Sequence, residues 1–397
     1  MALTSATKEP STREAWTFVL AVFALSRLLF VGAGALAAAY LPQAAPAGDP
    51  LEPRGALDYW AHWDGAWYSE IATGGYGERA PTSTAFFPLY PMFVRLGVAL
   101  GSGPALWGVM VSLSATLLAL YFLYRIAEDL YGSRAARAAT MALAFFPTAF
   151  FLNAVYSEAL FLALTTGAYW AAHLRRNLLL AGMLGSLAAA TRNLGIILLV
   201  PLLIEWLRYR REFGMKGLAG LALIPAGLLA YVAFLWGRFG DPLAFARQQG
   251  EYWGRELTNP VTTLSRAWQA AREGARYLFD PETLFLSTSA TPALEASNTL
   301  NLAFLVLFLV LMVVGFAVLP PGLSLYTLIV VLLPVLTPAP SFPLMSLPRF
   351  VLGAFPVFLV LGYLLSRARP VLILWLLLSA TTGVALTVLF TTWRWVA

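Results

Sequence analysis

Apolar residues run in long, nearly uninterrupted stretches along most of this chain, while polar residues gather in short connections and two long intervals. The apolar stretches fall near residues 16–40, 104–124, 138–152, 155–173, 178–190, 194–206, 218–236, 299–319, 323–336, 350–365 and 371–391. A helix needs about 20 predominantly apolar residues to cross a bilayer. The pattern therefore predicts an all-α polytopic membrane protein with about eleven transmembrane helices. Several stretches are only roughly 13 to 15 residues long, too short to cross a hydrocarbon core of about 30 Å as straight helices. These are expected to be broken or buried half-helices whose exposed backbone lines a cavity, the setting in which irregular backbone is tolerated at membrane depth.

The polar positions orient the pattern. Short connections carry Lys8 and Arg13, then Arg125, Arg134 and Arg137, then Arg175 and Arg176, then Arg208, Arg210, Arg211 and Lys216, and finally Arg367 and Arg369. With eleven crossings all of these share one side, which the positive-inside rule makes cytoplasmic. The N-terminus is then cytoplasmic, and Trp393-Arg394-Trp395 sits outside at the headgroup level. The first stretch is far longer than a signal-peptide core of about 7–15 residues and is expected to stay uncleaved. The two long intervals, about 41–103 and 237–298, face out. They greatly exceed the usual connection of about 4–6 residues, and their tryptophans, tyrosines and paired charges speak for folded, interfacial helices over disorder. The whole chain, 1–397, reads as one membrane domain without an internal repeat or the matched interruptions of inverted-repeat transporters.

Composition sharpens this picture. Of 397 residues 59% are hydrophobic and 12% charged, against about 25% charged in soluble domains. The net charge of +6 is absorbed by helix orientation, so nucleic acid is not an expected partner. The absence of cysteine excludes disulfides, thiolate catalysis and cysteine metal sites. His62 and His173 are the only histidines, and His173 falls near the cytoplasmic end, so no metal site is expected from histidine pairs and no cofactor is implied; a metal requirement through oxygen ligands is left open.

Candidate chemistry concentrates on the outer side. In Asp58-Tyr59-Trp60-Ala61-His62-Trp63-Asp64-Gly65-Ala66-Trp67-Tyr68, read as one helix, Trp60, Asp64, Trp67, Tyr68 and Ile71 share a face. A carboxylate in such an interfacial strip is partly desolvated and suits a general base; the same residues also describe an anchor helix whose acid faces water. Gly74-Gly75-Tyr76-Gly77 marks turns, and Phe86-Phe87-Pro88-Leu89-Tyr90-Pro91 is expected to open a short helix before the second span. Asn153, Tyr156 and Glu158 lie where two short stretches meet. A glutamate there is a functional candidate, or it simply stabilises a helix start. Arg192 and Arg349 stand at junctions against the charge bias, where guanidinium groups can grip a phosphate or snorkel to headgroups. Gln248, Gln249, Tyr252, Trp253 and Arg255 in the second interval suit a sugar ring, and equally an ordinary folded loop.

Taken in order, Trp63-Asp64 with Trp67-Tyr68, Ile71-Ala72, Gly75-Tyr76, Phe86 to Pro91, Phe146-Pro147, Tyr156-Ser157-Glu158, Thr191-Arg192 with Gly195, and Pro348-Arg349 resemble the PIG-V family of GPI-anchor mannosyltransferases and their bacterial relatives, a branch of the GT-C glycosyltransferases. The resemblance spans about residues 56–358. It implies a GT-C fold and transfer of a hexose, mannose in the family, from a polyprenyl-phosphate donor to a lipid or glycan acceptor outside the cytoplasmic leaflet, with inversion. On that resemblance Asp64 is the general base, Arg192 and Arg349 hold the donor phosphate, and Glu158 supports the pocket, with Trp63, Trp67, Tyr68, Tyr76 and Tyr156 as further binding or supporting residues; Asn153, Gln249 and Trp253 join them from the residue reading alone. A bacterium-like sequence need not make GPI, so the acceptor does not carry over. The rival reading is a transporter or flippase of lipid-linked sugars, which also needs outer arginines and aromatic loops; a third is a scaffold subunit without catalysis.

Overall fold

The computed structural model describes residues 12–44, 57–77 and 81–396. Lys8 of the basic clusters, the start of the family resemblance near residue 56, and residues 45–56 and 78–80 of the first outer interval lie outside the described residues. Helices account for the architecture, and no strand occurs among the described residues. In chain order they are α1 (Thr12–Tyr40), α2 (Asp64–Thr73), α3 (Leu89–Ala99), α4 (Pro104–Tyr131), α5 (Ser133–Ala144), α6 (Glu158–His173), α7 (Leu178–Thr191), α8 (Leu199–Arg208), α9 (Arg210–Phe213), α10 (Lys216–Phe239), α11 (Ala244–Trp253), α12 (Pro260–Leu278), α13 (Pro281–Leu286), α14 (Thr291–Val318), α15 (Pro321–Leu336), α16 (Leu347–Phe350), α17 (Pro356–Leu365) and α18 (Arg369–Thr391).

Every apolar stretch read from the sequence falls on helical backbone, but not each on one straight span. Five helices, α1, α4, α10, α14 and α18, are long and apolar enough to cross a membrane, and a sixth span results if Leu347–Gly353 and Pro356–Leu365, bent by 87°, are taken together. The expected number of eleven is therefore not reached by length and composition.

The shortfall has local causes. The stretch at 138–152 ends as α5 at Ala144, because Pro147 follows without an N–H to extend the helix, and a single 3-10 turn, Ala149–Leu152, comes next. The stretch at 194–206 opens with another 3-10 turn, Asn193–Leu198, after Arg192 adopts extended backbone. There Gly195 lies against the preceding turn so closely that a Cβ would stand 2.3 Å from the Ala189 nitrogen, so only glycine fits. These are the broken half-helices the short stretches predict.

The bundle is drawn tight by small residues. A Cβ on Gly227 of α10 would stand 1.8 Å from the Ser186 carbonyl oxygen of α7, and one on Gly182 would stand 1.9 Å from the Gly220 carbonyl oxygen; close backbone approach of this kind is how apolar helices gain packing where lipid offers no hydrophobic contrast. α6 is the most enclosed helix, with α4 and α7 on its flanks. It carries Glu158 at one end and His173 at the other. His173 Nε2 lies 3.0 Å from Asp129 Oδ2 and its Nδ1 lies 3.3 Å from Glu205 Oε2, a partly exposed polar cluster separated from Glu158 by the length of the helix, about 22 Å at 1.5 Å per residue.

The two long polar intervals are folded where they are described. The first holds α2 and α3, the second α11, α12 and α13, and α14 begins at Thr291, earlier than the apolar stretch at 299. The C-terminal turn packs against the first interval: Trp393 stacks on His62 with ring centroids 3.8 Å apart, and Trp395 meets Trp63 edge-on at 5.0 Å.

Candidate active site

The three helix breaks converge on one cavity of about 370 Å³, within the ~300–1,000 Å³ typical of small-molecule sites. The N-terminus of α6 brings Glu158, the break after α7 brings Thr191, Arg192 and Asn193, and the break between α15 and α17 brings Thr337, Ser346, Arg349 and Phe350. The first outer interval adds Asp64, Tyr68, Phe86 and Phe87, and the second adds Phe245, Gln249, Trp253 and Arg255.

Asp64 does not sit mid-helix, as the aromatic stripe suggests. It opens α2, after Trp63 turns the chain with φ of 57°, and Trp60 lies in a preceding 3-10 turn with its ring wholly buried. The stripe therefore splits: Trp67, Tyr68 and Ile71 continue along α2, while Trp60 packs elsewhere. Position at the first turn places the carboxylate against the positive end of the helix. Its backbone N–H donates to the Tyr156 hydroxyl at 3.2 Å, and that hydroxyl donates to the His62 carbonyl at 3.0 Å. Burial lowers the His62 imidazole to about 4, partly offset by its contact with the Phe390 carbonyl.

The charged groups form a chain. Arg349 Nη1 lies 2.6 Å from Asp64 Oδ2, Arg349 Nε lies 3.3 Å from Glu158 Oε1, and Arg192 Nη1 lies 2.6 Å from the same Glu158 oxygen. Arg349 and Glu158 are each only 5% exposed. Arg192 also reaches Ser157 Oγ at 3.4 Å, which accepts from the Tyr68 hydroxyl at 2.8 Å. Two acids and two arginines thus balance one another's charge, as buried ions require, while Glu158 Oε2 and Arg349 Nε have no hydrogen-bond partner among the described residues.

A third guanidinium breaks the balance. Arg255 donates to the Thr337 and Met345 carbonyls at 3.0 Å each and has no acidic partner among the described residues. Burial, reinforced by the charge of Arg349, brings it down to about 10. Arg192, Arg255 and Arg349 surround the Phe350 ring at 5.2, 5.3 and 5.0 Å from its centroid. Three cations against two carboxylates leave one positive charge in excess among the cavity-lining residues. That is the electrostatics of an anion site, and the acids face guanidinium groups, not a shared cation position.

Of the residues singled out by sequence, the cavity brings together Asp64, Tyr68, Glu158, Arg192, Gln249, Trp253 and Arg349. The others stand behind it or apart. Tyr156 supports Asp64 from behind, and Trp67 packs between Phe86 and Tyr252. Trp63 packs on the C-terminal tryptophans. Tyr76 donates to the Phe86 carbonyl at 2.7 Å and lines a separate apolar cavity of about 620 Å³ between α3, α7 and α10. Asn153 points away from the cavity and accepts from Arg27. Sequence reasoning placed Arg255 only among loop residues suited to a sugar ring, not in the charged cluster, gave Ser157 no role beyond its motif, and passed over Phe350 and Arg27.

With this geometry in view, the chain can be set beside known proteins. Residues 52–204 match the family described as Mannosyltransferase (PIG-V). The resemblance read from the motifs is borne out over this part of the chain, which carries Asp64, Tyr68, Tyr156, Glu158 and Arg192; Gln249, Trp253, Arg255 and Arg349 lie beyond the PIG-V match. Among solved structures, ArnT from Cupriavidus metallidurans bound to undecaprenyl phosphate is similar at 14% identity and a TM-score of 0.43, over 94% of this chain and 77% of that one. The same protein in the apo state gives 14% identity and a TM-score of 0.40, over 95% and 77%. No curated protein matches the chain at a significant level.

Proposed function

We propose that this protein is a membrane glycosyltransferase of the GT-C type that moves a hexose, mannose by family resemblance, from a polyprenyl-phosphate donor to the hydroxyl of a lipid or glycan acceptor on the outer side of the cell membrane. The observation that carries the reading is the ion-pair chain Asp64, Arg349, Glu158, Arg192 with Arg255 as a surplus cation, gathered where three broken helices meet. A reaction whose nucleophile must lose a proton and whose leaving group is an anion needs both elements within reach of one bound sugar.

In the proposed reaction the acceptor oxygen attacks the anomeric carbon while Asp64 takes its proton. The bond from that carbon to the phosphate oxygen breaks, its electron pair leaves with the polyprenyl phosphate, and configuration inverts. The leaving phosphate gains one negative charge, which Arg192, Arg255 and Arg349 are disposed to stabilise. An arriving phosphate competes with Asp64 for Arg349, so donor binding itself frees the carboxylate to act as base. Gln249 and Trp253 supply an amide and an aromatic face to the sugar, and Tyr68 with Ser157 keeps Arg192 and Glu158 in register.

The test is transfer in proteoliposomes from labelled polyprenyl-phosphate mannose to a lipid-glycan extract. The wild-type protein transfers label and Asp64→Asn does not, although it still purifies as a folded protein. Movement of the donor between leaflets without transfer of its sugar would instead establish the flippase reading.

A further inference from the structure

Arg27 lies inside α1, one of the five helices long and apolar enough to cross a membrane, and is 5% exposed. No acid among the described residues neutralises it. Its guanidinium is instead spent on the break between α5 and α6: Nη2 donates to the Ala144 carbonyl at 2.8 Å, and Nη1 donates to the Ala149 carbonyl at 3.0 Å and to Asn153 Oδ1 at 2.7 Å. Ala144 is the last residue of α5, where carbonyls lack helical partners and the helix dipole is negative. An arginine among apolar helices is costly, and a bare break in the backbone is costly too; here each relieves the other.

Two further carbonyls of the break are met from α4. Thr116 Oγ1 donates to Leu152 at 2.9 Å, and Ser112 Oγ donates to Ala154 at 2.7 Å. The segment from Ala144 to Ala154 is thereby pinned from two helices, and the next residues it delivers are Tyr156, Ser157 and Glu158. We infer that Arg27 is a positioning residue for the active site: by clamping Ala144, Ala149 and Asn153 it sets where Tyr156 stands, and through Tyr156 the base Asp64. The inference deepens the proposed function and rests on it for its kinetic readout.

The experiment compares Arg27→Met, Arg27→Lys and Asn153→Ala with wild type in transfer from polyprenyl-phosphate mannose, and couples this to a measurement that needs no activity. Because the chain has no cysteine, an Ala154→Cys background, buried in the native protein, reports the break through maleimide labelling. Arg27→Met is expected to lower kcat at least tenfold with KM for the donor within twofold, to raise the labelling rate at least tenfold, and to be partly rescued in both readouts by Arg27→Lys. Asn153→Ala, which keeps Arg27 itself, is expected to lower kcat severalfold in the same way, and it carries the test if Arg27→Met fails to fold. Wild-type kcat in Arg27→Met or Asn153→Ala, or a fall shared equally by kcat and donor affinity, overturns the inference. If the wild-type protein transfers no sugar, the proposed function fails and labelling alone decides the clamp, with unchanged labelling in Arg27→Met refuting it.

Discussion

The contact between Asp64 and Arg349 joins the first outer interval to the bend before α17, and removing it has a consequence that can be worked out. In Arg349→Met, Asp64 and Glu158 lose the guanidinium they share. Both acids are largely buried, with side chains 17% and 4% exposed, and stripping one partner from a buried pair costs about 3–5 kcal/mol. Asp64→Asn leaves Arg349 with Glu158 at 3.3 Å, so its cost is smaller, about 1–3 kcal/mol. The double variant removes one charge of each sign and restores the net charge of the cavity. It should therefore fall short of the summed single effects by about 1.5–3 kcal/mol. The assay is the rate of irreversible unfolding in detergent at one temperature, followed by tryptophan fluorescence for the four proteins, with a tenfold rate ratio taken as about 1.4 kcal/mol. Single effects that add to within about 0.5 kcal/mol mean that the two residues do not touch, and the ion-pair chain on which the site is built would have to be abandoned.

Other consequences follow from the same geometry. Arg255→Gln should weaken donor binding more than it lowers kcat, because it removes the surplus cation without touching the base; a KM for donor within twofold of wild type would argue against that role. Gly227→Val should prevent the close approach of α7 and α10, since the Ser186 carbonyl stands where its Cβ would be and backbone cannot yield as a side chain can; overpacking costs about 1–3 kcal/mol and often more against backbone, and a melting temperature equal to wild type would contradict the packing. His62 has a folded value of about 4 against an ordinary 6.5, so its stabilising contribution is complete above pH 6.5 and is lost as pH falls towards 4, the unfolded chain binding the proton first. The loss should be visible as acid loosening of the C-terminal turn that stacks on His62, measured by tryptophan fluorescence, and it should disappear in His62→Gln; an unchanged acid profile in that variant refutes it.

Much of this was legible in the sequence for physical reasons. Apolar stretches mark membrane helices because no other solvent tolerates them, so all eleven stretches found helical backbone. Their shortness was itself informative, since stretches too brief to cross had to be broken, and the breaks line the cavity. Residues whose charge opposes their surroundings, Glu158, Arg192 and Arg349, were visible for the same reason. The start of α2 was not. A helix wheel through Trp60 and Asp64 is indistinguishable in sequence from a turn followed by a helix, and only the backbone of Trp63, with its positive φ, separates them. Arg255 was read only as part of an aromatic loop, and its place in the charged cluster was hidden because its partners are the carbonyls of Thr337 and Met345, which no side-chain pattern records.

Arg27 was hidden by the same kind of partner. A lone arginine in an apolar stretch looks like a residue to be snorkelled away, because the cost of its charge is read from α1 alone. The structure reverses this once the break after α5 is counted, for a helix end in a membrane needs donors as much as the arginine needs acceptors. The two costs belong to segments more than a hundred residues apart, and neither predicts the other until the fold brings them together. The arginines of the cavity obey the opposite logic. Arg192 and Arg349 are matched by acids from other helices, whereas Arg255 carries a charge that no described acid answers. Where the protein needs only backbone held, carbonyls suffice as partners; where a charge is left over beside paired acids in an open cavity, the negative phosphate of the proposed donor is the partner that fits.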